Sequence, residues 1–228
     1  MPVSEADFAP IVLRPSKVLC VGLNYRTHIL ETGRELPDYP TLFAKFADSL
    51  LGANDDLALP AVSDRPDWEV ELGVIIGRPI HRATPAEAAA AIAGYTVMND
   101  VSMRDWQRRT VEWLQGKAFE RVTPAGPYLV TPDDVGDAAD LEIRCSVDDQ
   151  VMQRSRTSDL LFGPAEIAAY ASQIATLRPG DLIATGTPGG VGDARTPPVY
   201  LKPGQVLRSF IEGVGECVNR CVEEKDVA

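Results

Sequence analysis

Ten residues, Trp68-Glu69-Val70-Glu71-Leu72-Gly73-Val74-Ile75-Ile76-Gly77, constrain this chain more than any other stretch. A short run of aliphatic and β-branched residues closed by glycine reads as a buried strand, and a strand points alternate side chains to one face. Glu69 and Glu71 therefore share a face, roughly 6–7 Å apart. Like charges at that spacing repel unless a cation sits between them, so the segment predicts a divalent-metal site set into a sheet. The competing reading is a polar sheet edge turned to solvent, which alternation also produces.

Around this strand the sequence places many short strands and few helices. Residues 17–22 predict a buried strand and 24–33 a short helix ending at Gly33, after which Pro37 and Pro40 break regularity. Thr84-Pro85-Ala86-Glu87 is a capping box with proline at the first helical position, opening an alanine-rich helix that stops near Gly94, with a strand at 95–98 behind it. Residues 141–147 and 151–154 flank Asp148-Asp149 as a hairpin, and 164–177 carry helical periodicity. Residues 182–185 run as a strand into a glycine-rich loop at 186–192, and strands at 206–211 and 216–222 follow. Without regular strand–helix alternation, this order predicts an α+β or mainly β fold and not a doubly wound one. A lead-in segment at 1–17 and one catalytic domain at 18–228 are expected.

At 228 residues and 45% hydrophobic, the chain can bury the core of one large domain. It holds no apolar run long enough to span a membrane, and its acidic start lacks the layout of a secretory signal, so a soluble, cytoplasmic protein is expected. A formal net charge of −11 and a pI near 4.7, with no arginine- or lysine-rich stripe, argue against nucleic acid as a partner. Cys20, Cys145, Cys217 and Cys221 form no Cys-x-x-Cys pair and read as buried free thiols.

Asp100 follows directly on the 95–98 strand, where a loop carboxylate can complete a site. With Glu69 and Glu71 it supplies the all-oxygen shell that suits Mg²⁺, Mn²⁺ or Ca²⁺ and disfavours zinc. His28 and Glu31 are three residues apart in the predicted helix, so they are neighbours on one face. A carboxylate beside an imidazole fixes its tautomer and raises its basicity, as a water-activating base requires; a surface pair is the other reading. Lys117, between Gly116 and Ala118-Phe119, has a setting that can hold a lysine inside a pocket, although a solvated lysine is the default reading, and Lys45 has a similar setting that the sequence does not rank. The 186–192 loop reads either as a plain turn or as a backbone cradle for an anion, and it lacks the P-loop ending.

Taken in order, Gly22-Leu23-Asn24-Tyr25-x-x-His28-x-x-Glu31, the Glu69–Gly77 strand, Asn99-Asp100-Val101-Ser102-x-Arg104-Asp105, Gly116-Lys117-Ala118-Phe119 and Thr185-Gly186-Thr187-Pro188-Gly189-Gly190-Val191-Gly192 resemble the fumarylacetoacetate hydrolase family. The resemblance implies a curled mixed β-sheet roll with peripheral helices, usually a homodimer, and a Mg²⁺ or Mn²⁺ site. It implies Glu69, Glu71 and Asp100 as metal ligands, His28 with Glu31 as a water-activating pair on a mobile lid, and Lys117 as the active-site lysine. Asn24 falls within the first motif and is expected at the substrate. Arg104 and Gln107 match positions that face substrate in some members, although Arg104 can equally brace the metal loop, and Thr187 matches a threonine that meets the substrate carboxylate.

Two departures stand out. Residue 23 is leucine where acylpyruvase and oxaloacetate decarboxylase members resemble Gly-Arg-Asn-Tyr, and the extra N-terminal domain of the longest members, with its fourth ligand aspartate, has no counterpart. The activity implied is hydrolysis of a C–C bond in a 2,4-diketo acid of the fumarylpyruvate or acylpyruvate type, giving pyruvate and a carboxylic acid, in aromatic-compound catabolism. Oxaloacetate decarboxylation, isomerisation of an unsaturated 2-oxo acid and a non-catalytic metal or oxo-acid binder are the alternatives.

Overall fold

The computed structural model describes residues 8–31 and 33–224, without the side chain of Glu31. The chain opens with β1 (Val18–Gly22), α1 (Arg26–Glu31), β2 (Thr41–Lys45), β3 (Leu50–Leu51), β4 (Leu57–Leu59) and β5 (Pro66–Asp67). The central strand β6 (Val70–Ile76) is followed by α2 (Pro85–Ala91), β7 (Ile92–Asn99), β8 (Ser102–Met103), α3 (Arg104–Gln107) and α4 (Leu114–Lys117). Then come β9 (Thr123–Val130), α5 (Pro132–Val135), β10 (Glu142–Val147), β11 (Gln150–Arg156), α6 (Pro164–Ile174), β12 (Leu182–Ala184), β13 (Val206–Ile211) and β14 (Gly215–Glu223).

Seven strands form one mixed sheet in the order β2-β1-β12-β6-β7-β9-β3, and five form a second in the order β11-β10-β13-β14-β4. Among the described residues, β1 with β12, β3 with β9 and β14 with β4 pair in parallel and the other pairs are antiparallel. The period of two in β6 explains how the sheets meet. Val70, Leu72, Val74 and Ile76 join the main core, where β10, β13 and β14 pack across β6, β7 and β9. Glu71 and Ile75 point to the other face, where Val18, Cys20, Met98, Leu182 and Ala184 form a smaller cluster. Both faces are covered, so β6 is buried along its whole length and the reading of a solvent-facing polar edge is wrong.

The arrangement is the expected α+β one, with three helices longer than one turn among the described residues, α1, α2 and α6. The Thr84 capping box is present, but α2 ends at Ala91 and Gly94 lies inside β7, because Ile92 already pairs with Ile76. Strands β2, β3, β4, β5, β8 and β9 were not anticipated; most are very short, and β9 carries Pro124 and Pro127, which disguise it. All four cysteines are buried and free. Among the described residues no helix is long and apolar enough to cross a membrane.

Candidate functional site

Backbone pairing carries the three carboxylates together. The ladder between β6 and β7 pairs Val70 with Asn99, and one residue further on the Asp100 N–H donates to the Glu69 carbonyl at 2.8 Å. The Asn99 side chain locks the same corner, its Oδ1 accepting from the Glu69 N–H at 2.9 Å. Each of Glu69, Glu71 and Asp100 offers a carboxylate oxygen, all within 4.8 Å of one another, and all three residues are buried. From the opposite edge of β6, the chain leaving β12 runs along the strand. Gly186 N–H donates to Glu71 Oε2 at 2.6 Å, and Thr187 Oγ1 donates to the Val70 carbonyl at 2.9 Å. Gly186 has φ +105°, and a Cβ there would lie 2.9 Å from Asn24 Cβ, so this donor position takes only glycine.

Counter-charges are distributed unevenly. Lys117 Nζ lies 2.7 Å from both Glu69 Oε2 and Asp100 Oδ2, and Lys45 Nζ lies 2.5 Å from Asp100 Oδ1. Burial alone pushes the Asp100 carboxyl up, but the two lysines hold it below the usual aspartate range. The same ion pairs raise Lys117 against the opposing effect of its own burial. Arg104 reaches Asp67 Oδ2 with Nε at 2.8 Å, places Nη2 2.6 Å from Glu69 Oε1 off the hydrogen-bond direction, and donates from Nη1 to Gln107 Oε1 at 2.9 Å. Glu71 has no lysine or arginine ion pair among the described residues. Burial first, then Asp100 and Glu69, push its carboxyl well above the ordinary glutamate value. A buried oxygen cluster with one carboxylate left without an ion-pair partner is the donor set that a hard divalent cation fits.

A cavity of about 310 Å³ opens over the cluster, with Glu69, Glu71, Lys117, His28, Gln107 and Thr187 on its wall. His28 stands on α1, half-buried, and the helix also carries Glu31, whose side chain lies outside the described residues. Trp113 and Phe43 form an aromatic part of the wall with their rings edge to face at 5.5 Å. A Cβ on Gly22 would stand 2.4 Å from the Trp113 ring, so glycine is what lets the indole lie there. Asn24 does not line the cavity. Its amide donates to the Thr185 and Phe162 carbonyls at 2.7 and 3.0 Å, and its Oδ1 accepts from the Phe162 N–H, which makes it a brace between segments and corrects its reading as a substrate contact.

Arg104 lines the cavity and also holds the carboxylate cluster through its contacts to Glu69 and to Asp67, a residue that sequence reasoning missed. Asp67 is fully buried and accepts from the backbone N–H groups of Gly192 at 2.7 Å and Asp193 at 3.0 Å as well as from Arg104. One carboxylate thereby ties β5, α3 and the glycine-rich loop together. The signal was available: Asp67 is one step back on the two-residue period of Glu69 and Glu71. Lys45, left unranked by sequence, is buried against Asp100.

Comparison with known proteins adds the lineage. Residues 17–222 match the model of the fumarylacetoacetate (FAA) hydrolase C-terminal family. The chain is 46% identical over 224 residues to the mitochondrial oxaloacetate tautomerase FAHD2A of Bos taurus, an alignment covering 97% of this chain and 71% of that protein. It superposes on a 5-carboxymethyl-2-hydroxymuconate delta-isomerase from Mycobacterium smegmatis with a TM-score of 0.88 at 38% identity, covering 99% and 86% of the two chains. A fumarylpyruvate hydrolase from Pseudomonas aeruginosa, solved in complex with Mn²⁺ and pyruvate, superposes with a TM-score of 0.83 at 34% identity, covering 96% and 98%.

Proposed function

This chain belongs to the fumarylacetoacetate hydrolase family, and on that premise we propose that it is a divalent-metal-dependent enzyme acting on 2-oxo acids through their enol form, with keto–enol interconversion of oxaloacetate as its reaction. The convergence of Glu69, Glu71 and Asp100 beneath a cavity that also holds His28 carries this reading. The three carboxylates would hold Mg²⁺ or Mn²⁺, which when bound would polarise the substrate's 2-oxo group and favour negative charge on its oxygen. Lys117, fixed between two of the three carboxylates, supplies a preorganised positive charge beside that oxygen. His28 takes a proton from the carbon next to the oxo group and returns one to the enolate. Thr187 lines the cavity, and its hydroxyl, accepting from Gln153 and donating to the Val70 carbonyl, keeps the loop against β6 where the carboxylate end of the substrate would lie.

The similarity to oxaloacetate tautomerases favours proton transfer over the C–C hydrolysis expected from sequence, since it is the stronger of the two resemblances. Hydrolysis of a 2,4-diketo acid is the second reading, favoured by the fumarylpyruvate hydrolase that superposes over nearly the whole chain. In that case His28 removes the proton from an attacking water, and a pyruvate enolate leaves. Loss of enol absorbance, followed for oxaloacetate, fumarylpyruvate and acetylpyruvate with Mg²⁺ and again with EDTA, separates the two. Oxaloacetate tautomerisation faster than buffer, abolished by EDTA and reduced about 10²-fold or more in kcat by His28→Ala with metal affinity retained, is the expected result. A His28→Ala enzyme with full turnover removes the assigned base, and no metal-dependent change with any substrate removes the proposal.

A further inference from the structure

Around the cluster, the buried carboxylates Asp67, Glu69, Glu71 and Asp100 face Lys45, Lys117 and Arg104, which leaves one formal negative charge. A divalent cation turns that into one positive charge, and the carboxylate of a 2-oxo acid returns the site to neutrality. A second carboxylate on the substrate would need a cation of its own. Four cationic side chains line the cavity: Arg34, Arg104, Arg108 and Lys117. Lys117 is divided between Glu69 and Asp100, and Arg104 between Asp67, Glu69 and Gln107. Arg108 is ion-paired to Asp193 Oδ2, while the other oxygen of Asp193 accepts from the Tyr200 hydroxyl at 2.9 Å. Arg34 differs from all three. Its side chain is exposed on the cavity wall with no carboxylate partner among the described residues, and its backbone N–H donates to the Ile29 carbonyl at 3.3 Å, which ties it to the helix carrying His28.

We propose that Arg34 binds the second carboxylate of a dicarboxylic 2-oxo acid, so that this chain selects diacids over 2-oxo monoacids of the same length. Arginine suits the task because its planar fork meets a carboxylate through two parallel N–H donors and stays charged at any working pH. The inference deepens the reading of the site as a binder of 2-oxo acids and rests on it.

The test is isothermal titration of the full chain, loaded with Mg²⁺, with two compounds that cannot enolise at C3. These are 3,3-difluoro-oxaloacetate and 3,3-difluoro-2-oxobutanoate, in which a methyl group replaces the distal carboxylate. The wild-type chain is expected to bind the diacid at least about tenfold more tightly. Arg34→Ala should remove that difference while leaving monoacid affinity unchanged, and Arg34→Lys should keep part of it. Equal affinity of the wild-type chain for both compounds, or a diacid preference that survives Arg34→Ala, overturns the role of Arg34 alone. Failure of the Mg²⁺-loaded chain to bind either compound brings down the functional reading and this inference with it.

Discussion

Lys45 and Glu71 are both buried ionisable groups, yet removing them has opposite consequences. Lys45→Met strips the buried Asp100 of a partner at 2.5 Å, and should destabilise the metal-free protein by about 3 kcal/mol in urea denaturation. Glu71→Gln keeps the shape but removes the repulsion from Asp100 and Glu69. Its metal-free form is expected to melt a few degrees higher than wild type, on the order of 1 kcal/mol of relief, and to gain nothing from added Mg²⁺ in differential scanning fluorimetry. A Glu71→Gln protein still stabilised by Mg²⁺ would place the cation elsewhere. The sequence made Glu69 and Glu71 legible because a strand's period is fixed by covalent geometry, and a glutamate pair in an apolar run breaks the expected pattern. Lys45 was not legible, since a lysine between apolar neighbours looks the same whether it enters the core or reaches solvent along its stem.

At the scale of elements, the site depends on strands being held in register, and Asp181 does this at the start of β12. Its carboxylate accepts from Ser16 Oγ at 2.5 Å, from the Lys17 N–H at 3.0 Å and from the Arg178 N–H at 2.7 Å, and Lys17 Nζ lies 2.7 Å away. Burial pushes this carboxyl up, but these donors outweigh it and hold the group below the ordinary aspartate value of 3.8. A carboxyl lowered by folding contributes stability that is fully present above its unfolded value and fades as pH falls through its folded value. Asp181→Asn is therefore expected to cost about 1–3 kcal/mol at pH 7, and the denaturation midpoints of the two proteins should converge below pH 3.8. A gap that stays constant into acid would show that the carboxylate charge plays no part. The strands at 206–211 and 216–222 were legible from alternation, whereas β9 was not, because its prolines are permitted by neighbours that only the sheet defines.

At the scale of the whole molecule, a cation that binds only the folded chain must stabilise it. Saturation at about a hundred times the dissociation constant adds about 2.7 kcal/mol, which for a chain of 228 residues raises Tm by about 5–10 °C. Mg²⁺ or Mn²⁺ should produce this rise and EDTA should abolish it; a Tm indifferent to both would contradict a metal site at the cluster. The sequence by itself determined that this chain carries a strand with two carboxylates on one face, a third at a strand end, a histidine on a short helix and a lysine in an apolar setting, because each follows from local periodicity and side-chain chemistry. Only the tertiary structure decided that Asn24 braces and does not contact the cavity, that Asp67 and Lys45 complete the charge network, and that Arg34 is the cavity cation without a carboxylate partner among the described residues. These outcomes depend on residues distant in sequence competing for the same partners, and that competition is resolved only when the strands between them have paired.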